Sequence, residues 1–377
     1  MSIQPTPSLR WDLSMVCNLA CKHCSRAADT NRARHPALSD VLAILDRLNP
    51  EVCSRLLLLG GEPLIYPHID VVLASVMEKG LPFRIVTNGQ RLTDGLISLA
   101  QEAHCSEITV SLDGPDRSSH EYIRGKRTFE RALGALRSIR RAFDGTSNRV
   151  GISYTLMARN VHRTGEIIEL ARRLGVDVLY LSALEEHGRA TSHYDVLGVT
   201  MEDYIEAVAP HIDEIARPSD SRPSIRWGFL DTPLRMALRH SGIELPIPLS
   251  TCPAATTEGV IDSQGRLWPC ALFSVNVQMR QKLADAFRLS DNSLLHHSVD
   301  EIWESDGFRR VRDLKAQRLH LTHGNPCRTC GAKNLCSPCF LPHVLGEPFN
   351  RPDCLQRRQT PDACSGPLHG SPPSRFA

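Results

Sequence analysis

The chain has no excess of either charge, no long apolar run and, through its middle, almost no cysteine. Its 44 Lys and Arg against 42 Asp and Glu leave a formal net charge of +2, so no broad field selects nucleic acid or an anionic membrane as a partner. No segment approaches the roughly 20 apolar residues of a spanning helix. The opening MSIQPTPSLRWDLS lacks the apolar core of a signal peptide. The expectation is a cytoplasmic protein without nucleic-acid or membrane partners. Between the first and last groups of thiols only Cys53 and Cys105 occur, both flanking apolar runs, where they read as small buried hydrophobes.

What is present is therefore concentrated. Of 13 cysteines, three lie at Cys17, Cys21 and Cys24, and eight crowd the last third from Cys252 to Cys364. In an unexported chain of this size such groups suit metal ligation by thiolate better than disulfides. With 377 residues and 41% apolar content, the chain can bury one large domain and a smaller one.

Residues 9–184 alternate short apolar runs with amphipathic stretches, the pattern of βα units on a parallel sheet. Six strands are predicted: LRWDLS (9–14), RLLLLGG (55–61), FRIVTN (83–88), EITVSLD (107–113), VGISYTLM (150–157) and VDVLYLSAL (176–184). Between the first two, LSDVLAILDRL (38–48) puts Leu38, Val41, Leu42, Leu45 and Leu48 on one helical face, with Ser39 and Asp40 available to cap it. Six units predict an α/β fold, a partial (β/α)6 TIM-type barrel, because eight are needed to close the usual barrel. The expected division is a barrel over 1–190, a linker or bridging helical region over 191–250 containing RPSDSRPS, a cysteine-rich domain over 251–356 and a disordered tail over 357–377. In the third part EGVIDSQGRLWPC reads as a hairpin turning at DSQG.

The string CNLACKHC places Cys17, Cys21 and Cys24 directly after the first strand. An ordinary four-iron four-sulfur cluster takes four Cys ligands, so three would leave one iron open to a substrate or cofactor. The same thiolates with His23 also suit zinc, and on this segment alone both readings stand. Gly60-Gly61-Glu62-Pro63 ends the second strand and Thr87-Asn88-Gly89 the third, at carboxyl ends where parallel sheets bind ligands. The paired glycines allow a close backbone approach to a ligand.

Those three cysteines, with GGEP and TNG following in order, resemble the radical S-adenosylmethionine superfamily. His23 departs from the aromatic residue usual before the last Cys. The resemblance implies one four-iron four-sulfur cluster on Cys17, Cys21 and Cys24, and S-adenosylmethionine held by Gly60, Gly61, Glu62, Pro63 and Asn88. It also brings Ser111 and Asp113 to the ribose; Asp113-Gly114-Pro115 read alone is equally a turn. Arg124 is able to meet a carboxylate as a charged fork, or else serves a surface salt bridge.

The later cysteines read Cys252-x12-Gly265-x4-Cys270, then Cys327-x2-Cys330-x5-Cys336-x2-Cys339, then Cys354. This resembles the SPASM extension of the same superfamily, one residue short before Cys339. The resemblance implies two auxiliary iron–sulfur clusters: one on Cys252, Cys270 and Cys339, with either an open iron able to touch the substrate or a fourth ligand for which Cys364 is a candidate, the other on Cys327, Cys330, Cys336 and Cys354. A pair of zinc knuckles is the bland alternative.

Carried over, the activity is reductive cleavage of S-adenosylmethionine and hydrogen abstraction from a substrate by an oxidoreductase, served by a flavodoxin- or ferredoxin-type electron donor. The expected substrate is a ribosomally made peptide, with a separate recognition protein, because only about ten residues precede the first strand. A small molecule of natural-product biosynthesis is the alternative substrate, and a non-catalytic cluster protein the alternative class. No acid or base acting on the substrate is readable.

Overall fold

The computed structural model describes residues 6–31, 34–215, 223–227, 252–275, 277–289 and 291–317. A nine-stranded sheet in the order β7-β6-β5-β4-β3-β2-β1-β8-β9 organises them. The six foreseen strands are β1 (Ser8–Ser14), β2 (Arg55–Gly60), β3 (Phe83–Thr87), β4 (Cys105–Ser111), β5 (Arg149–Leu156) and β6 (Val178–Ala183). All pair in parallel with their sequence neighbours, and helices cover the sheet as in a partial TIM-type barrel.

The βα rhythm continues further than the sequence suggested. β7 (Ser224–Trp227) lies parallel beside β6, and β8 (Glu258–Ile261) lies parallel beside β1. Each spans four residues, too few to leave a legible period. The foreseen hairpin is present: β8 runs antiparallel to β9 (Leu267–Trp268), turning through Asp262–Gly265. β7 falls in the stretch read as linker, and β8 joins the cysteine-rich segment to the barrel sheet.

The core follows from residue type. In β1 Leu9, Trp11 and Leu13 alternate onto one face and are buried, each worth about 1.5–3 kcal/mol on leaving water. The helices α1 (Leu38–Asp46), α2 (Ile69–Glu78), α3 (Asp94–Glu102), α4 (Arg117–Arg124), α5 (Phe129–Ala142) and α6 (Thr164–Arg173) turn apolar stripes inward. In α5 these are Phe129, Ala132, Leu133, Leu136 and Ile139, at helical spacing. Ser39 and Asp40 do not cap α1: Ala37 is the N-cap without a side-chain bond, and both polar residues sit inside the first turn. Cys53 and Cys105 are fully buried in the core, as their surroundings predicted.

Inside the sheet, Oε1 of the buried Glu107 carboxylate accepts from Arg84, from the Tyr180 hydroxyl at 2.8 Å and from Thr109 at 2.9 Å, while Oε2 is ion-paired with Arg149 at 2.8 Å. Two counter-charges and two neutral donors are what a charge needs in so dry a place. It also ties β3, β4, β5 and β6 together below the strand ends.

Candidate functional site

The site forms where β1 to β4 end. Gly61 N–H donates to the Ser14 carbonyl at 2.7 Å and Glu62 N–H to the Val16 carbonyl at 2.9 Å, so the GGEP turn grips the chain as it enters Cys17. A Cβ on Gly60 would lie 2.5 Å from the Ser14 oxygen, and one on Gly61 2.2 Å from the Val16 oxygen. The close approach expected of these glycines is thus first to the protein's own cysteine loop. Gly61→Ala should force that loop aside, destabilise the fold by about 1–3 kcal/mol and lower iron content after reconstitution. Thermal denaturation and iron analysis check both.

From the opposite side, Arg189 N–H donates to the Cys24 carbonyl at 2.9 Å, while its guanidinium donates to the carbonyls of Cys21 at 2.9 Å and Ala28 at 2.6 Å. Gly188 packs against the Ser25 and Cys24 carbonyls. No sequence motif marked this pair. They lie in the segment after β6, far from the cysteines along the chain.

The sulfurs meet nitrogen donors. Leu19 N–H lies 3.4 Å from Cys17 Sγ, Asn88 Nδ2 3.8 Å from the same sulfur, and Arg124 Nη1 4.0 Å from Cys21 Sγ. Burial pushes the Cys17 thiol up to about 12 and raises Cys21 as well. A thiolate here therefore needs a positive partner.

A layer of charge backs the loop. Arg124 Nε donates to Asp113 Oδ2 at 2.5 Å, Thr155 N–H to Asp113 Oδ1 at 3.0 Å, and His23 Nε2 lies 3.4 Å from Asp113. Burial opposes ionisation of Asp113, yet Arg124 and His23 hold it below the usual carboxylate range. Arg124 thus meets a carboxylate of the protein itself, in a buried pair rather than at the surface. Burial holds His23 at about 4, and its Nδ1 is buried without a protein partner. Two residues the sequence did not single out complete the layer. His120 Nδ1 accepts from Asp113 N–H at 3.1 Å, and Asn160 Nδ2 donates to the Asp113 carbonyl at 3.0 Å.

Glu62 is buried, with one oxygen accepting from Thr87 Oγ1 at 2.6 Å and Leu64 N–H at 3.1 Å, the other from Asn88 N–H at 2.7 Å. Burial raises its pKa, and these donors work against that rise. Pro63 starts the short turn that follows, and Ser111 closes β4.

This donor set fits an iron–sulfur cluster with a bound cofactor. Three thiols share one loop, N–H donors face two of the sulfurs, and the unpartnered His23 Nδ1 is available to a polar ligand group. The zinc alternative would need His23 as a ligand, but its Nε2 is engaged by Asp113 and Arg124.

Of the second cysteine group, Cys252 and Cys270 are described. Ala255 N–H donates to the Pro269 carbonyl at 3.1 Å, which sets the turn after Cys252 against the residue before Cys270. Lys315 Nζ fixes that turn through the carbonyls of Cys252 at 2.9 Å and Ala254 at 3.0 Å. Cys327, Cys330, Cys336, Cys339, Cys354 and Cys364 lie outside the described residues, as does the predicted tail.

Comparison with known proteins agrees with this geometry. Residues 12–171 match the radical SAM superfamily, and residues 252–331 match the SPASM iron–sulfur cluster-binding domain. The AdoMet-dependent heme synthase of Methanosarcina barkeri is 25% identical over 350 residues, covering 88% of this chain and 90% of that protein. The mycofactocin maturase MftC of Mycobacterium tuberculosis is 24% identical over 359 residues, covering 94% and 84%. Among solved structures, Streptococcus suis SuiB bound to the precursor peptide SuiA superposes with a TM-score of 0.67 at 16% identity, over 97% of this chain and 76% of that one. At that identity the likeness is one of fold.

Proposed function

Because the chain belongs to the radical SAM superfamily and carries the SPASM iron–sulfur cluster-binding domain, we propose that it is an oxidoreductase that matures a ribosomally made peptide. Cys17, Cys21 and Cys24 would hold the four-iron four-sulfur cluster. Gly60, Gly61, Glu62, Pro63, Asn88, Ser111, Asp113 and Arg124 would surround S-adenosylmethionine. When bound, the pair supplies a 5′-deoxyadenosyl radical, formed by one-electron cleavage of S-adenosylmethionine with loss of methionine, which takes a hydrogen atom from the substrate.

The protein's share is positioning. The observation that carries the reading is the cysteine loop fixed from two sides, by Gly61 and Glu62 on one and Arg189 on the other. The N–H groups of Leu19, Asn88 and Arg124 stabilise negative charge on the ligating sulfurs. Asp113 holds Arg124 and His23 in place, and the buried strand ends exclude water from the reacting centre. Cys252 and Cys270, with Cys339, would serve one auxiliary cluster, and Cys327, Cys330, Cys336 and Cys354 the other.

Support for a peptide substrate comes from the maturase MftC and from the fold of SuiB, solved with its precursor peptide. The likeness to AdoMet-dependent heme synthase favours a second reading, in which the substrate is a small molecule. A flavodoxin- or ferredoxin-type donor and a separate peptide-recognition protein complete the proposed assembly. The test is anaerobic reconstitution with dithionite and S-adenosylmethionine, followed by mass spectrometry of candidate precursor peptides and tetrapyrroles. Formation of 5′-deoxyadenosine with a peptide that loses hydrogen is the expected result. A changed tetrapyrrole instead establishes the second reading, and absence of 5′-deoxyadenosine leaves a non-catalytic cluster protein.

A further inference from the structure

Beside the cysteine loop lies a cavity of about 290 Å³ whose lining is basic: Arg91, Lys126, Arg127 and Arg131 contribute four cations, and no acidic residue is part of the lining. The whole chain carries a net charge of only +2, so this is a local concentration of charge. Among the described residues none of the four is ion-paired with a carboxylate, and all four are exposed. The loop that presents two of them is held in an uncommon conformation. Arg127 has φ 62°, and the Glu121 carboxylate pins it by accepting from Arg127 and Phe129 N–H. The loop that displays these cations is thereby fixed in one conformation.

The cavity wall runs directly to the sulfur. Asn18 and Leu19, which follow Cys17, form part of the lining. Asn88 Nδ2 donates to Asn18 Oδ1 at 2.8 Å and reaches Cys17 Sγ at 3.8 Å. Gln90, another lining residue, donates its N–H to Asn88 Oδ1 at 2.9 Å and its Nε2 to the Thr128 carbonyl at 3.0 Å. A partner seated here is one residue from a proposed cluster ligand.

We propose that this basic cavity is the docking site of an acidic one-electron donor protein of the flavodoxin or ferredoxin class. The proposal rests on the functional reading above, which requires an electron from outside: the donor is oxidised by one electron and the iron–sulfur site reduced by one. Exposure of the cations selects a protein over a small anion. A site for a small anion would desolvate its cations, whereas exposed cations contribute steering and register to a transient complex. S-adenosylmethionine, itself a sulfonium cation, is repelled by such a lining.

The test uses the reconstituted enzyme and its R91Q/R131Q variant, titrated with a bacterial flavodoxin at low and high ionic strength. The expected result is a dissociation constant about tenfold weaker in the variant, with a flatter salt dependence. Cluster reduction by reduced flavodoxin should slow in proportion. Reduction by methyl viologen radical, a small cation, should stay within about twofold. An unchanged dissociation constant and salt dependence overturns the proposal. So does unchanged flavodoxin binding accompanied by a raised KM for an acidic peptide, which would make the cavity a substrate site. The titration reads the docking claim alone, and 5′-deoxyadenosine formed with methyl viologen reads the functional claim alone.

Discussion

Cys17→Ala should abolish 5′-deoxyadenosine formation, by at least about a thousandfold against background, while the protein remains folded. Loss of one of three sulfurs removes a thiolate that no nearby side chain replaces: Asn88 and Leu19 offer N–H donors, Asn18 offers a neutral amide oxygen 3.9 Å from the sulfur, and Glu62 is committed to Thr87, Leu64 and Asn88. The fold should survive because Cys17 lies in a loop held by backbone bonds, among them Cys17 N–H to the Asp29 carbonyl at 2.7 Å and Gly61 N–H to Ser14. Iron and sulfide analysis beside circular dichroism checks this: reduced iron with an intact spectrum is expected. Full iron content with undiminished 5′-deoxyadenosine would remove Cys17 from the proposed ligand set.

Asp113→Ala should have the largest effect on stability, about 3–5 kcal/mol. Its carboxylate is fully buried and serves Arg124, Thr155 N–H and His23 together. Removal leaves the Arg124 guanidinium buried without its counter-charge and a main-chain donor without an acceptor. Asp113→Asn keeps an oxygen for Thr155 and should lose less. Asp113→Ala combined with Arg124→Met should recover part of the loss, since deleting both charges costs less than stranding one. Urea denaturation of the three variants distinguishes this account from simple cavity formation, which predicts no recovery in the double variant.

How much of this was legible in the sequence depends on distance along the chain. Strands β1 to β6 showed themselves because Leu, Ile and Val runs in parallel strands are buried on both faces, and the observed boundaries fall within two residues of the predicted ones. The cysteine loop and GGEP are local strings and were readable together. Arg189, His120 and Asn160 were not, because each acts on residues that the fold alone brings near. Asp113 and Arg124 were noticed separately, but not as partners of each other. Their pairing depends on α4 returning its last residue to the end of β4. The missed cap on α1 has a simpler cause: the helix begins directly after Ala37, so Ser39 and Asp40 already lie inside its first turn.

The pairing of β8 with β1 has a consequence for how the chain can be divided. Leu9, Arg10 and Trp11 align with Gly259, Val260 and Ile261, so the flank of β1 opposite β2 is sealed by a strand contributed from the cysteine-rich half. A fragment ending before residue 252 would bare that row of amides and carbonyls, a ready template for self-association. The β1 edge is therefore covered only when β8, about 250 residues later in the chain, is present.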